Sequence, residues 1–287
     1  MTGPDYTEFV ARITRNEADM SYRKRVETVF DWVAPLDTDL ILDAGCGRGF
    51  YLRFMRTACA ARLVGIELEL PFLQTARRTL DGLPDLTLVN ANLYALPFPD
   101  GYFDKAILSE VLEHVDDDVA ALASVGRTLK PGGIVAITVP HANYPFWWDP
   151  INKTLETLSK THIRSGVLAG IWANHVRLYT PDKLRDTVKR AGLEIVEERS
   201  FTHACFPFIH NIVYGLGKTM LEAGALPDSM ASAADRYNLT GERGSLLNPV
   251  NLGLTLFEWF DRPNTLHEPP GRSTVNLAVL ARKPARG

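Results

Sequence analysis

Cysteine is scarce in this chain: three in 287 residues, Cys46, Cys59 and Cys205, an odd number at spacings that match no metal-ligand motif. A disulfide framework is therefore excluded, and a reducing cytoplasm is the expected setting. Basic excess is missing as well. Lys and Arg number 31 against 34 Asp and Glu, for a net charge of −3, with no basic run. That argues against a nucleic-acid partner, which needs a positively charged face. No apolar stretch is long and uninterrupted enough to span a bilayer. The opening MTGPDYTEFVARITRNEADM lacks the basic-then-apolar order of a secretory signal. There is no G-x-S-x-G elbow for a nucleophilic serine, no internal repeat and no low-complexity tract. Apolar residues are plentiful, at 46%, enough for one large core with insertions.

The most informative segment is LILDAGCGRGF, residues 40–50: an apolar strand ending in Asp43, a turn with Gly45, Gly47 and Gly49, then an apolar helix. Glycines in such a turn let the backbone take positive φ and let a ligand lie against the main chain. The following helix aims free N–H groups at an anionic end of that ligand. A dinucleotide fingerprint, G-x-G-x-x-G, wants glycine at position 50, where this chain has Phe50. A second apolar run, ARLVGIELE, reaches Glu67 and Leu68. A carboxylate at the tip of the second strand of a doubly wound sheet takes both hydroxyls of a ribose. The third stretch, NANLYALPFPDGYFDKAILSEVLEHV, covers residues 90–115.

In order and separation, these three stretches resemble the methyltransferase type 11 family of class I S-adenosylmethionine (SAM) dependent methyltransferases. The likeness covers residues 38–140 with specific motifs, and 178–200 plus 272–284 with weaker ones. It implies SAM as the cofactor. Carried over residue by residue, Asp43, Gly45, Cys46, Gly47 and Gly49 form the loop beneath it, with Cys46 packing rather than attacking. Glu67 holds the ribose, with Leu68 beside it. Asn92 and Leu93, with Leu96-Pro97-Phe98, wall the adenine. Ser109 and Glu110 line the methionine end, and the Glu113-His114 pair closes the fourth strand as in the family, with His114 a structural or cofactor-side residue. The family usually has Asp where this chain has Asn92, whose amide offers the adenine amino group an oxygen or turns its donor inward. Tyr22 and Arg25 are candidates for the methionine carboxylate. The plainer reading of residues 6–33 is a pair of solvated helices on the sheet edge.

The fold class expected is α/β: a doubly wound, Rossmann-like seven-stranded sheet, mostly parallel with an antiparallel last strand, plus helical insertions. Strands fall near 39–43, 62–67, 86–90, 103–109 and 133–139, with crossover helices between them. Lys130-Pro131-Gly132-Gly133 is expected to stop a helix and reverse the chain. Thr180 and Pro181 open a further helix that Gly192 closes ahead of a sixth strand. The division expected is a helical cap over 1–37, then a core over 38–200 and 272–284 carrying a substrate-side insertion at 141–179. Residues 201–271 make a helical insertion or lid. Within the last, 206–221 and 250–260 are apolar and aromatic. They read as a lid, an interfacial anchor for peripheral membrane contact, a homodimer contact, or helices simply packed on the sheet.

Methyl transfer from a sulfonium is an in-line displacement, so holding acceptor and methyl collinear supplies most of the catalysis. An oxygen acceptor also has a proton to lose, and histidine is the natural base. His141, just past the fifth strand, is the first candidate, followed by His114, Tyr144, Asp149 and His175. A base of ordinary pKa would make the rate rise through about pH 6 to 7. The plain alternative is that His141 only bonds the loop backbone. No ligand spacing among His141, Asp149, His162 and His175 supports a metal site. The string Asn143-Tyr144-Pro145-Phe146 follows the wrong strand for a nucleic-acid adenine methyltransferase. The function expected is methyl transfer from SAM to a small or lipid-like metabolite at oxygen. The rivals are a SAM-binding regulatory or scaffold protein without transfer, and a dinucleotide oxidoreductase.

Overall fold

A computed structural model describes residues 5–166, 168–209, 211–213, 237 and 247–285. Its centre is one sheet of seven strands: β1 (Leu40–Ala44), β2 (Arg62–Glu67), β3 (Leu86–Asn90), β4 (Phe103–Ser109), β5 (Leu129–Pro140), β6 (Glu194–Phe201) and β7 (Asn276–Arg282). The order across it is β3-β2-β1-β4-β5-β7-β6. β1 to β5 pair in parallel, and β7 runs antiparallel to both β5 and β6. The first five strands stand where the apolar runs predict them, and the mixed seven-stranded sheet is the one the family resemblance implies. β1 is buried along its whole length because helices cover both faces of a parallel sheet, which is why it reads as a continuous apolar run.

Helices α1 (Thr7–Ile13), α2 (Met20–Val33), α3 (Phe50–Ala58) and α4 (Leu70–Thr79) share one apolar cluster on one face, through Ile13, Val26, Phe30, Phe54 and Ala76. Helices α5 (Asp118–Thr128) and α7 (Pro181–Arg190) cover the other through Leu122, Val125, Leu184 and Val188. Their starts are capped as their sequences direct. Asp19, Asp117 and Thr180 each accept a backbone N–H from the first turn, and Pro181 occupies the first turn of α7.

One local expectation is corrected. Lys130 to Gly133 do not reverse the chain. Phe103 pairs with Leu129 and Lys105 with Ile134, so the four residues bulge out of β5 while its direction is kept. Gly132 takes φ +78° inside that bulge.

Beyond β5 the 141–179 insertion is closed like a loop. An isolated bridge joins His141 to Tyr179, and Ala142 N–H donates to the Tyr179 carbonyl at 2.8 Å. It holds α6 (Pro150–Ser159). After β6, the described part of the 201–271 segment includes α8 (Pro249–Asp261); much of the apolar 206–221 stretch lies outside the described residues. Met20 of the cap, Tyr144, Trp148 and Ile171 of the insertion, Cys205 and Ile209 after β6, and Val275 before β7 form a third apolar cluster. Phe257 and Phe260 of α8 pack against it. Described residues of α2, of the 141–179 stretch and of the stretch between β6 and β7 are therefore packed together. No described helix is long and apolar enough to cross a membrane.

Candidate functional site

In an open α/β sheet a ligand binds beyond the carboxyl ends of the strands where the strand order reverses, here between β1 and β4. The loop after β1 turns on Gly45, Gly47 and Gly49, all at positive φ. At Gly47, φ +53°, a Cβ would meet nothing within 4 Å, so this backbone borders open space. Gly45 faces the opposite constraint: a Cβ there would fall 2.6 Å from Val111 Cγ2. Cys46 is buried, and burial pushes its thiol far above the ordinary range, which makes it packing.

Glu67, at the end of β2, leans over this loop. One oxygen accepts from Gly47 N–H at 2.9 Å and the other from Glu69 N–H at 2.8 Å. A carboxylate offers about four acceptor positions, so both oxygens keep capacity for a ribose diol. Asp43 is buried at the end of β1 and one of its oxygens has no hydrogen-bond partner. Burial, and then the charge of Glu67, push its pKa up to about 7. An unpartnered buried carboxyl under an open glycine turn suits a ligand that carries positive charge.

Leu68 is exposed at the rim and Leu93 packs against the core. Asn92 Oδ1 accepts from Tyr94 N–H at 3.0 Å, capping the short 3-10 turn Leu93–Ala95. The amide thus directs its oxygen back to its own backbone.

At the end of β4, Glu110 stands in the left-handed region, φ +55°, a conformation retained where the surroundings over-determine it. Its side chain pairs with Arg25 of α2 at 2.7 Å and accepts from Thr138 Oγ1 at 3.0 Å and Asn276 Nδ2 at 3.1 Å. Because Thr138 gives its proton to Glu110, Ser109 donates to Thr138 (2.9 Å) and Tyr51 to Ser109 (3.3 Å). Burial pushes the Tyr51 phenol up to about 12, which keeps it a donor. The Arg25 guanidinium lies over the Tyr22 ring at 4.8 Å. Arg25, Tyr22, Ser109 and Glu110 are therefore assembled at one point. Thr138 and Asn276 belong with them, although neither carries a motif that spacing could reveal.

The acceptor-side candidates divide. His141 is 5% exposed, and its Nδ1 lies 2.9 Å from Thr274 Oγ1. Thr274 spends its own proton on the Asn276 carbonyl, so Nδ1–H is the donor and Nε2 keeps the lone pair. Burial lowers the His141 pKa to about 4, and titration near pH 6 to 7 is thereby corrected. Tyr144 is fully buried, and burial drives its phenol far upward. Asp149 is a structural cap: it accepts from Asn152 N–H at 3.1 Å, Asn152 Nδ2 at 2.7 Å and Ile171 N–H at 3.0 Å. The His175 ring lies 4.7 Å from that of His114. His162 stacks on Trp172.

The strand order, the open glycine turn and the acidic tip of β2 together define the class I SAM-dependent methyltransferase fold, a class whose cofactor is SAM. Residues 42–137, about a third of the chain, match the family model described as a methyltransferase domain. An O-methyltransferase of Aspergillus nomiae is 36% identical over 100 residues, 34% of this chain and 44% of that protein. A sterol 24-C-methyltransferase of Kluyveromyces lactis is 25% identical over 195 residues, 66% of this chain and 47% of that protein. The chain thus spans about half the length of these curated relatives. Among solved structures, the [4+2]-cyclase SpnF superposes with a TM-score of 0.53 at 19% identity, covering 93% of this chain and 82% of that one. The names of these three proteins give three different reactions, so the shared architecture speaks for the fold and not for the acceptor.

Proposed function

We propose that this chain transfers a methyl group from SAM to a small or lipid-like, mostly apolar acceptor, at a hydroxyl oxygen. The observation that carries the reading is His141: an imidazole at the carboxyl end of β5, neutral through physiological pH, with Nδ1 fixed on Thr274 and the lone pair left on Nε2. Glu67 and the Gly45–Gly49 turn would hold the adenosine part of SAM. Arg25, Tyr22 and Glu110 would hold the methionine part. The bound cofactor supplies an electrophilic methyl on a sulfonium. The chain orients the acceptor and takes its proton at His141. A low pKa makes His141 a weak acceptor of protons, but keeps all of it in the basic form.

Support for an apolar acceptor comes from Phe146 and Trp147, packed edge to face at 5.1 Å and both about half exposed after β5. The O-methyl transfer named for one relative is the same kind of reaction, whereas the sterol enzyme named for another transfers to carbon.

The test is twofold. Calorimetry should show binding of SAM and S-adenosylhomocysteine and none of NADH. With methyl-labelled SAM and a panel of hydroxylated apolar acceptors, His141→Ala should then lower turnover by about 10²-fold or more, with SAM affinity nearly unchanged. Because His141 is already unprotonated, the wild-type rate should show no histidine titration between about pH 5.5 and 7.5. Wild-type turnover in the variant returns His141 to a structural role. SAM binding without transfer to any acceptor favours the non-transferring reading.

A further inference from the structure

We propose that Glu113, His114 and His175 form a binding site for a first-row divalent transition metal, built between the β4–α5 connection and the 141–179 insertion. Glu113 is fully buried, and neither of its carboxylate oxygens has a hydrogen-bond partner. A buried carboxylate in that state is costly unless a cation or donor completes it. Two imidazoles face it instead: Nε2 of His114 and Nε2 of His175 each lie 3.9 Å from Glu113 Oε1. The three ligand atoms are all within 4.8 Å of one another.

The orientation of His114 points the same way. Its Nδ1 lies 3.0 Å from the Asn174 carbonyl, which can only accept, so Nδ1 carries the proton and Nε2 presents its lone pair toward Glu113. A histidine that ligates a metal through one nitrogen and donates to a carbonyl through the other has this arrangement. Asn174 is itself held at φ +62°, a conformation uncommon for a residue with a side chain.

The scaffold brings the two chain segments into register. Val176 N–H donates to the Glu113 carbonyl at 2.9 Å. The Arg177 guanidinium donates to the carbonyls of Leu112 at 3.0 Å and Asp116 at 2.6 Å, and also to that of Val115. His175 is thus tied to the segment that supplies Glu113 and His114. Ligands about 2.0 to 2.2 Å from one ion sit roughly 3 to 3.5 Å apart. Closing the present spacing is a modest movement, and His114, an exposed side chain, has room to make it. Two imidazoles and one carboxylate favour zinc, iron(II), cobalt(II) or nickel(II) over calcium or magnesium. Three protein ligands leave further positions for water or for an oxygen of a bound molecule. Metal binding here stands on these side chains alone and is independent of the transfer reading.

The test uses Co2+ as the probe on the full chain after chelator treatment, followed by absorption in the visible range and by calorimetry. One Co2+ per chain should bind with visible absorption bands and be displaced by Zn2+. His114→Ala and His175→Ala should each weaken it tenfold or more, and Glu113→Gln should do the same. Circular dichroism confirms that each variant is folded; if the buried Glu113→Gln is not, the two histidine variants decide. Absence of stoichiometric binding, or equal binding in both histidine variants and the wild type, overturns the site.

Discussion

Asp43 sits buried beneath the glycine turn with its pKa pushed up to about 7 by burial and by Glu67. An acid whose folded pKa exceeds its unfolded value, near 4, contributes nothing below that value. It destabilises progressively as pH rises from about 4 to 7, because the unfolded chain gives up the proton first. Asp43→Asn removes this dependence. Relative to the wild type, the variant's melting temperature without ligand should therefore rise between pH 5 and pH 8, and its affinity for SAM should fall with the lost negative charge. Thermal unfolding at the two pH values checks the first point and calorimetry the second. A difference in melting temperature that does not change with pH would place the carboxyl outside the titration.

The loop between β1 and α3 works through its backbone, so its response to substitution depends on position. Gly47 has open space where a Cβ would go, but its φ of +53° strains a β-branched side chain, and its N–H holds Glu67. Gly47→Val should leave the fold intact by circular dichroism and remove measurable SAM binding. Normal binding by that variant would show that the loop does not cradle the ligand. The same segment shows what is legible in the sequence and why. Asp43, the three glycines and Glu67 are read from short contiguous motifs, because one turn and one strand tip fix their geometry. Thr138 and Asn276, which position Glu110, lie on β5 and β7 and meet it only because β7 enters the sheet beside β5. The bulge at Lys130 to Gly133 is misread as a reversal because its residues suit both, and only the pairing of Phe103 and Lys105 separates them.

At the scale of the whole molecule, described residues of α2, of the 141–179 stretch and of the stretch between β6 and β7 share one apolar cluster. A ligand that binds only the folded chain at 100 times its Kd adds about 2.7 kcal/mol. For a chain of this size that corresponds to a rise of roughly 5 to 10 °C in the melting temperature. SAM should produce such a shift in scanning fluorimetry and NADH should not; equal shifts, or none, would contradict the cofactor assignment. The first five strands are legible from the apolar runs, and the antiparallel last strand only from the family resemblance. The place of His175 is not, because the bonds of Arg177 to the β4–α5 connection set its path and no periodicity encodes them.

The position of β7 also governs how the chain reaches this state. β6 ends at Phe201, and its described partner strand begins only at Asn276. During synthesis, β6 must therefore wait for residues 202–275 to emerge before its main-chain groups are satisfied, a long-range closure of the kind that slows folding. Meanwhile its glutamates, Glu194, Glu197 and Glu198, disfavour the pairing of that open edge with other chains. The charges that mark an ordinary edge strand in the finished sheet thus also disfavour aggregation while the chain is incomplete.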